Sequence, residues 1–151
     1  MLTLRTLTKE AFAPYGLILQ HGSENPASFQ VIARADEPTG WQLAVSRVVR
    51  GVVTTLACHP NTMESFTPLA GVGALVVAAS ACPQEVACFL LDRPVCLHKG
   101  TWHCTLAVTD TATFVISENR QVESESYSLP QPLVIGLGVH SPPVDPYASC
   151  R

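Results

Sequence analysis

The sequence predicts an all-β barrel that carries one short N-terminal helix. From residue 41 onward, short runs rich in apolar and β-branched residues follow one another. Turn-forming pairs such as Arg50-Gly51 and Cys82-Pro83 separate these runs at short, regular intervals. This spacing, without a long helical period, is typical of β-sandwiches and β-barrels.

The N-terminal region predicts one helix and one loop. Thr8 is an N-cap candidate and Glu10 places an acid in the first turn, so a helix begins there. Pro14 and Gly16 end this helix. Residues 21–40 are rich in proline, glycine and polar residues, which predicts a loop.

The remaining pattern predicts a succession of strands within one domain. The predicted strands cover residues 42–49, 52–58, 74–79, 86–91, 95–98, 105–108 and 112–116. We assign residues 1–128 to a single barrel domain. Residues 129–151 are rich in proline and are expected to form a C-terminal extension over the surface.

Composition and charge exclude several classes of partner. The chain has 151 residues, of which 47% are hydrophobic and 14% charged, so it can bury a core. With nine Lys and Arg and a net charge of -3, it has no basic stripe for nucleic acid. The apolar run 74–79 is shorter than the roughly 20 residues that span a bilayer.

No signal peptide is visible, so we expect a cytoplasmic protein. Its six cysteines lack a C-x-x-C pair and are expected to be structural thiols.

Two short segments concentrate the residues that suit metal chemistry. His59 and Glu64 lie in the first segment, and His98 and His103 lie in the second. Because strands point alternate side chains to opposite faces, two neighbouring strands can aim all four into one cavity. Imidazole nitrogens and a carboxylate suit divalent nickel, zinc, manganese or iron. A metal-assisted site for a small-molecule substrate is therefore predicted, and no organic cofactor is expected.

The spacing within these segments resembles the two motifs of the cupins. His59, Glu64 and Gly71 resemble the first motif, and Gly100 followed by His103 resembles the second. This resemblance implies a double-stranded β-helix, or jelly-roll barrel. Ala57 stands where the first motif normally has a further histidine, and the metal set therefore needs His98 as its replacement.

A narrower resemblance concerns three segments in order: residues 7–16, 59–71 and 98–103. Together they are similar to the ureidoglycolate lyase (ureidoglycolate hydrolase) family of purine and allantoin catabolism. The resemblance implies a cupin-like barrel, a homodimer, and release of urea and glyoxylate from ureidoglycolate. The chain departs from the family at Glu64, commonly glutamine, and at Cys104 and Thr105, commonly histidine and proline.

The resemblance and the chemistry together suggest roles for the site residues. A metal held by the four candidate ligands would chelate the substrate's carboxylate and hydroxyl. His98 is either a ligand or a general base, and Lys99 is a candidate partner for the substrate carboxylate. Glu64 is both a ligand and a catalytic candidate. Phe66 and Trp102 are expected to wall the substrate cavity or the core.

Three functions remain open from the sequence. The leading one is a lyase acting on ureidoglycolate or a related small α-hydroxy acid. The second is a non-catalytic cupin that binds a small molecule, which the missing motif histidine favours. The third is a metal-dependent cupin isomerase or dioxygenase, for which His59, Glu64 and His103 supply a facial ligand set.

Overall fold

The computed structural model describes residues 1–25, 28, 30–37 and 40–136. These residues form one short helix and two β-sheets, which confirms the predicted all-β, cupin-like barrel with a short N-terminal helix. In chain order the elements are β1 (Leu2–Arg5), α1 (Lys9–Phe12), β2 (Gly16–Ile18), β3 (Trp41–Val49), β4 (Val53–Cys58), β5 (Glu64–Ala70), β6 (Gly73–Ala78), β7 (Ala87–Leu91), β8 (Val95–Leu97), β9 (Trp102–Ala107), β10 (Thr111–Asn119), β11 (Glu125–Leu133) and β12 (Ile135–Gly136).

The helix α1 begins where the sequence predicts. Thr8 has extended backbone angles and its hydroxyl accepts a hydrogen bond of 3.2 Å from the Ala11 amide, so it is the N-cap. Phe12 is fully buried and packs edge-on against Phe89, with 5.3 Å between ring centroids. Among the described residues, no helix is long and apolar enough to cross a membrane.

The larger sheet has seven strands in the order β11-β4-β9-β6-β7-β1-β12. Its two outermost strands, β11 and β12, are separated in the chain by Val134 alone. The sheet therefore curls until its two edges nearly meet, which protects most of its length from edge-to-edge association. The smaller sheet has five strands in the order β2-β8-β5-β10-β3.

Two hydrophobic cores follow from this arrangement. The inter-sheet core lies between the two sheets and includes Phe66 and Phe114 from one and Leu75 and Phe89 from the other. The second core lies inside the curl of the larger sheet. Strand β6 contributes alternate residues to both cores, so all six of its residues are buried. Burial on both faces explains why its sequence is an uninterrupted apolar run.

The predicted C-terminal extension overlaps the larger sheet. Strand β11 continues to Leu133, and β12 pairs with β1 through Leu2 and Ile135. Residues 129–136 therefore belong to the folded domain, whereas residues 137–151 lie outside the described residues. That these last residues form a separate extension stays a prediction.

The prediction of structural thiols is wrong for Cys82. Cys58, Cys88, Cys96 and Cys104 are free, whereas Cys82 is disulfide-bonded. Cys150 lies outside the described residues. Burial raises the pKa of Cys88 to about 12, so this thiol stays protonated and packs as an apolar group. The cytoplasmic location expected from the sequence stays a prediction.

Replacing Gly71 with alanine is expected to destabilise the fold. Gly71 has a φ of 69°, and a Cβ atom there would lie 2.2 Å from the Thr111 carbonyl oxygen. Left-handed strain and this clash together should lower the free energy of unfolding by at least about 2 kcal/mol in urea denaturation. Gly51 is the matched control, because a Cβ atom added there would meet nothing within 4 Å. Equal stability of Gly71→Ala and Gly51→Ala would contradict this.

Candidate metal centre

Three of the four predicted ligands converge at one end of the inter-sheet space. His59 directly follows β4, Glu64 is the first residue of β5, and His103 is the second residue of β9. Opposite His103 on β6 lies Val77, which belongs to the inter-sheet core. Since paired residues share a face, His103 points into the space between the sheets.

The functional atoms of these three residues lie close together. The Glu64 Oε2 atom is 2.8 Å from His103 Nε2 and 3.5 Å from His59 Nε2. One ligand atom from each residue lies within 4.8 Å of the other two. Glu64 and His103 are buried, with 6% and 7% exposure, and His59 is partly buried. We call this set the His–Glu–His group.

Backbone carbonyls fix the orientation and tautomer of both histidines. His59 Nδ1 lies 3.0 Å from the Glu123 carbonyl oxygen, and His103 Nδ1 lies 3.0 Å from the Thr101 carbonyl oxygen. A carbonyl oxygen only accepts, so each Nδ1 carries the proton and donates it. In the neutral imidazole each Nε2 then presents a lone pair toward Glu64.

The group fits a divalent metal ion. Glu64 Oε2 is buried and has no hydrogen-bond partner among the described residues, because its approach to His103 lacks hydrogen-bond geometry. Two lone-pair nitrogens and one carboxylate oxygen thus face each other, and a cation would satisfy all three. Ligands about 2.1 Å from an ion at 90–110° lie about 3.0–3.4 Å apart, close to the two distances observed here.

An open cavity gives access to this group from one side. The cavity has a volume of about 340 Å³ and is lined by Glu64 and His103 together with Phe66 and Ile116. Phe66 packs edge-on against the His103 ring, with 5.7 Å between centroids. The predicted cavity residue Phe66 therefore does lie beside the group, where it shields one side of His103 from water.

Hydroxyl side chains line the opposite wall of the cavity. They are Thr55 on β4, Thr105 on β9, Ser126 on β11, and Ser124, which directly precedes β11. Their hydroxyls form none of the hydrogen bonds found among the described residues. Ala57 on β4 is paired with Ser126 of β11 on one side and with His103 of β9 on the other. Because its side chain is a single methyl group, the space between these two residues stays open. These hydroxyls can therefore bind a polar ligand, and the carboxylate of Glu125 lies in the same part of the lining.

The structure does not bring His98 and Lys99 into the cavity. His98 Nε2 lies 3.3 Å from the Ala13 carbonyl oxygen, and His98 borders a narrow gap that His59, Glu64 and His103 also line. That gap has no room for a water molecule. Lys99 forms an ion pair with Glu37 on the surface, and this hydrogen bond lowers the pKa of Glu37. Neither residue borders the open cavity.

Trp102 also lies away from the cavity. It precedes His103 on β9 and therefore points to the other face, into the second core. Its indole nitrogen donates a hydrogen bond of 3.1 Å to the Ser80 carbonyl oxygen, and its ring packs against Tyr127. The structure thus assigns Trp102 a packing position, which was the second of the two sequence expectations.

A larger groove of about 620 Å³ lies elsewhere, on the outer face of the smaller sheet. It is lined by Ser65 and Ser117, which alternate with the inward residues Glu64 and Ile116, and by residues 19–21 and 30–35. No member of the His–Glu–His group borders it. Because convergent polar groups mark a site better than volume does, we take the smaller cavity as the candidate site.

The hydroxyl wall and the carbonyl partners of the histidines were not found from the sequence. The alternation in 53–58 does show that Thr55 and Ala57 share a face. However, only the strand register places that face beside His103 and Ser126. The Glu123 carbonyl is 64 residues from His59 and leaves no sequence signal at all.

The fold and the site together define a cupin-like barrel with a candidate metal centre. A family model described as ureidoglycolate lyase matches residues 1–136, so the chain belongs to the ureidoglycolate lyase family.

Two relatives and one solved structure are similar to this chain. The ureidoglycolate lyase of Burkholderia cepacia is 31% identical over 138 residues, covering 77% of this chain and 78% of the relative. That of Pseudomonas fluorescens (strain Pf0-1) is 29% identical over 123 residues, covering 68% and 74%. A structure of a mutant Bacillus subtilis oxalate decarboxylase is 20% identical, with a TM-score of 0.45. The match covers 60% of this chain and 24% of that one.

Metal content is expected to depend on the three convergent residues and not on His98. Tag-free wild-type protein should hold near-stoichiometric divalent metal, measured by mass spectrometry after dialysis. Glu64→Ala and His103→Ala should each lower the affinity by more than about 100-fold, because each removes a direct ligand. His98→Ala is the matched control and should retain the metal. Equal loss in all three variants would contradict the three-residue site.

Proposed function

We propose that this chain is a ureidoglycolate lyase that eliminates urea from ureidoglycolate and releases glyoxylate. The observation that carries this proposal is the buried His–Glu–His group facing an open, hydroxyl-lined cavity. Membership of the ureidoglycolate lyase family supplies the substrate. The cavity volume of about 340 Å³ suits a small-molecule substrate.

The reaction requires one proton to be removed and one to be delivered. Ureidoglycolate has one carbon that bears a hydroxyl, a carboxylate and a ureido nitrogen. Loss of the hydroxyl proton allows the carbonyl of glyoxylate to form while the carbon–nitrogen bond breaks. The departing nitrogen takes up a proton and leaves as urea, so atoms and charge balance.

The residues of this chain divide these tasks. His59, Glu64 and His103 would hold the ion. The cavity lining contains two carboxylates, Glu64 and Glu125, and Glu64, which lies beside the ion, would accept the hydroxyl proton and return it to the nitrogen. A divalent ion held there supplies Lewis acidity toward the substrate's carboxylate and hydroxyl. Phe66 and Ile116 exclude water from that end of the cavity.

The hydroxyl wall suits the neutral end of the substrate. A ureido group carries N–H donors and a carbonyl acceptor but no charge, and hydroxyls both donate and accept. Thr55, Thr105 and Ser126 therefore offer partners for the ureido group while the charged end lies at the His–Glu–His group. Since Lys99 pairs with Glu37, we do not assign it to the substrate carboxylate.

The proposal predicts activity that depends on the space above Ala57. Wild-type protein should release urea and glyoxylate from ureidoglycolate, measured with a coupled glyoxylate assay. Ala57→Leu should fill the space between His103 and Ser126 and lower kcat/KM by about 100-fold through misplacement of the substrate, while metal content stays unchanged.

Two comparisons make this assay decisive. Ala57→Ser is the matched control, because it adds a single oxygen and should retain most of the activity. His103→Ala should lose both metal and activity. Wild-type protein that carries metal but releases neither product would contradict the lyase proposal, and an active Ala57→Leu would contradict the substrate placement.

One observation favours a second candidate function. Two histidines and one carboxylate form the ligand set of non-haem iron(II) oxygenases, and the structure brings this set together. A metal-dependent cupin dioxygenase is therefore the alternative. Iron as the resident metal and substrate-dependent oxygen consumption would select it, whereas product release in the absence of oxygen would select the lyase.

We also propose that the chain forms a homodimer through strand β3. This strand is the nine-residue edge of the smaller sheet, whereas the other edge, β2, has three residues. On its outer face lie four large apolar side chains that are 61–68% exposed, namely Trp41, Leu43, Val45 and Val49. A long, exposed, apolar edge strand is unfavourable in water unless a partner covers it. Antiparallel pairing with the same strand of a second copy would cover it symmetrically.

Disrupting this edge is expected to produce monomers. Wild-type protein should sediment as a dimer in analytical ultracentrifugation, and Val45→Glu should shift it toward the monomer because two carboxylates would face each other across the interface. Val52→Glu is the matched control, since Val52 is similarly exposed but lies outside β3. A monomeric wild type, or a dimer that persists in Val45→Glu, would contradict the proposal.

A further inference from the structure

One amide side chain connects the His–Glu–His group to the segment between β10 and β11. The Asn61 Nδ2 atom donates a hydrogen bond of 3.1 Å to the Gln121 carbonyl oxygen. Its Oδ1 atom accepts a hydrogen bond of 2.9 Å from the Glu123 amide. Asn61 thus uses both ends of its side chain to hold a segment about 60 residues away in sequence.

The segment that Asn61 holds carries the carbonyl that orients His59. The Glu123 amide donates to Asn61, and the Glu123 carbonyl accepts from His59 Nδ1 at 3.0 Å. The amide and the carbonyl belong to one residue, so holding the first restricts where the second can lie. Asn61 and His59 are two residues apart, and both meet Glu123.

The second histidine does not need such a tether. Its carbonyl partner, Thr101, is only two residues away from His103. The Thr101 hydroxyl donates a hydrogen bond of 2.9 Å to the Tyr15 carbonyl oxygen in the folded interior. The partner of His59 instead lies in the exposed connection 120–124, which is outside any strand. Between the end of β10 and the start of β11, the side chain of Asn61 hydrogen-bonds directly to the backbone of residues 121 and 123.

Asn119 strengthens the same attachment from the end of β10. The backbone amide of Asn119 donates a hydrogen bond of 3.1 Å to the Thr62 hydroxyl. Its side-chain Nδ2 atom donates one of 3.2 Å to the backbone carbonyl oxygen of Asn61. The chain from residue 119 to residue 123 is therefore bound along residues 61 and 62. Ser124, which follows directly, lines the cavity.

We propose that Asn61 is a positioning residue that sets the orientation and tautomer of His59 through the Glu123 carbonyl. Its role in metal affinity rests on the proposed metal centre, whereas its effect on the His59 ring does not. Asn61 itself is not a ligand. Carbonyl or carboxylate partners of ligand histidines typically change metal affinity by about 10–100-fold when they are lost.

The test combines a metal titration with a direct measurement of the imidazole tautomer. Co²⁺ is titrated into metal-free wild type, Asn61→Ala and Asn61→Asp, and its visible absorption reports binding. We expect Asn61→Ala to bind about 10–100-fold more weakly. Asn61→Asp keeps an acceptor for the Glu123 amide and should restore most of the affinity. Gln42→Ala is the matched control, because its amide bonds to Glu118 and not to the segment 121–123.

Long-range ¹H–¹⁵N NMR spectra of the metal-free protein supply the second readout. In wild type both His59 and His103 should carry their proton on Nδ1. In Asn61→Ala, His59 alone should become a mixture of tautomers. A stable Asn61→Ala protein that binds Co²⁺ like wild type, with the His59 tautomer unchanged, would overturn the inference. Wild-type protein that binds no Co²⁺ would overturn the metal centre and the affinity role, and the tautomer of His59 would still decide the positioning role.

Discussion

The buried carboxylate of Glu64 is the constraint on which the site depends. Removing an ionised carboxylate from water costs several kcal/mol unless a cation or hydrogen-bond donors oppose its charge. Here the two nearest side chains are histidines whose Nδ1 protons are already donated to backbone carbonyls. In the neutral imidazoles their Nε2 atoms would add two lone pairs beside Glu64 Oε2. A cation at this point would compensate the negative charge of Glu64. A metal ion would do so while binding all three ligand atoms.

The surrounding fold then determines what can reach that ion. The narrow gap that His98 shares with the group has no room for a water molecule, and Phe66 and Ile116 line the apolar side of the open cavity. Among the described residues, the cavity that borders this group and has room for a substrate is the hydroxyl-lined one, so a substrate would lie above Ala57 and extend toward Ser126. The described residues that line this cavity include no lysine, so in the proposed lyase the metal ion, and not a lysine, would bind the substrate carboxylate. The geometry also explains why a chain that lacks the additional cupin histidine at Ala57 can still assemble a three-residue group.

The sequence predicts the fold better than the site, for identifiable physical reasons. The strands from β3 onward with apolar alternation, and the N-cap at Thr8, could be predicted because those signals are local. The sequence did not predict strand β5, because Pro68 and several polar residues interrupt the alternation of apolar and polar residues. It did not predict β11 because Pro130 and Pro132 are typical of an irregular extension. At the site, strand alternation predicted that His59, Glu64 and His103 point into one cavity, and their ligand atoms do lie close together. Their roles stay a prediction. Strand alternation could not show that the turn after β8 directs His98 toward Ala13, since that depends on packing against α1.

The three-residue metal centre can be observed directly in a crystal structure of the metal-loaded protein, with anomalous diffraction data recorded on both sides of the metal's absorption edge. We predict one anomalous peak about 2.0–2.2 Å from His59 Nε2, Glu64 Oε2 and His103 Nε2, with His98 uncoordinated. The contrary result would be no peak among these atoms and a hydrogen-bonded contact between Glu64 and a His103 protonated on both nitrogens. In that case an imidazolium would neutralise the carboxylate, and the site would work without a metal.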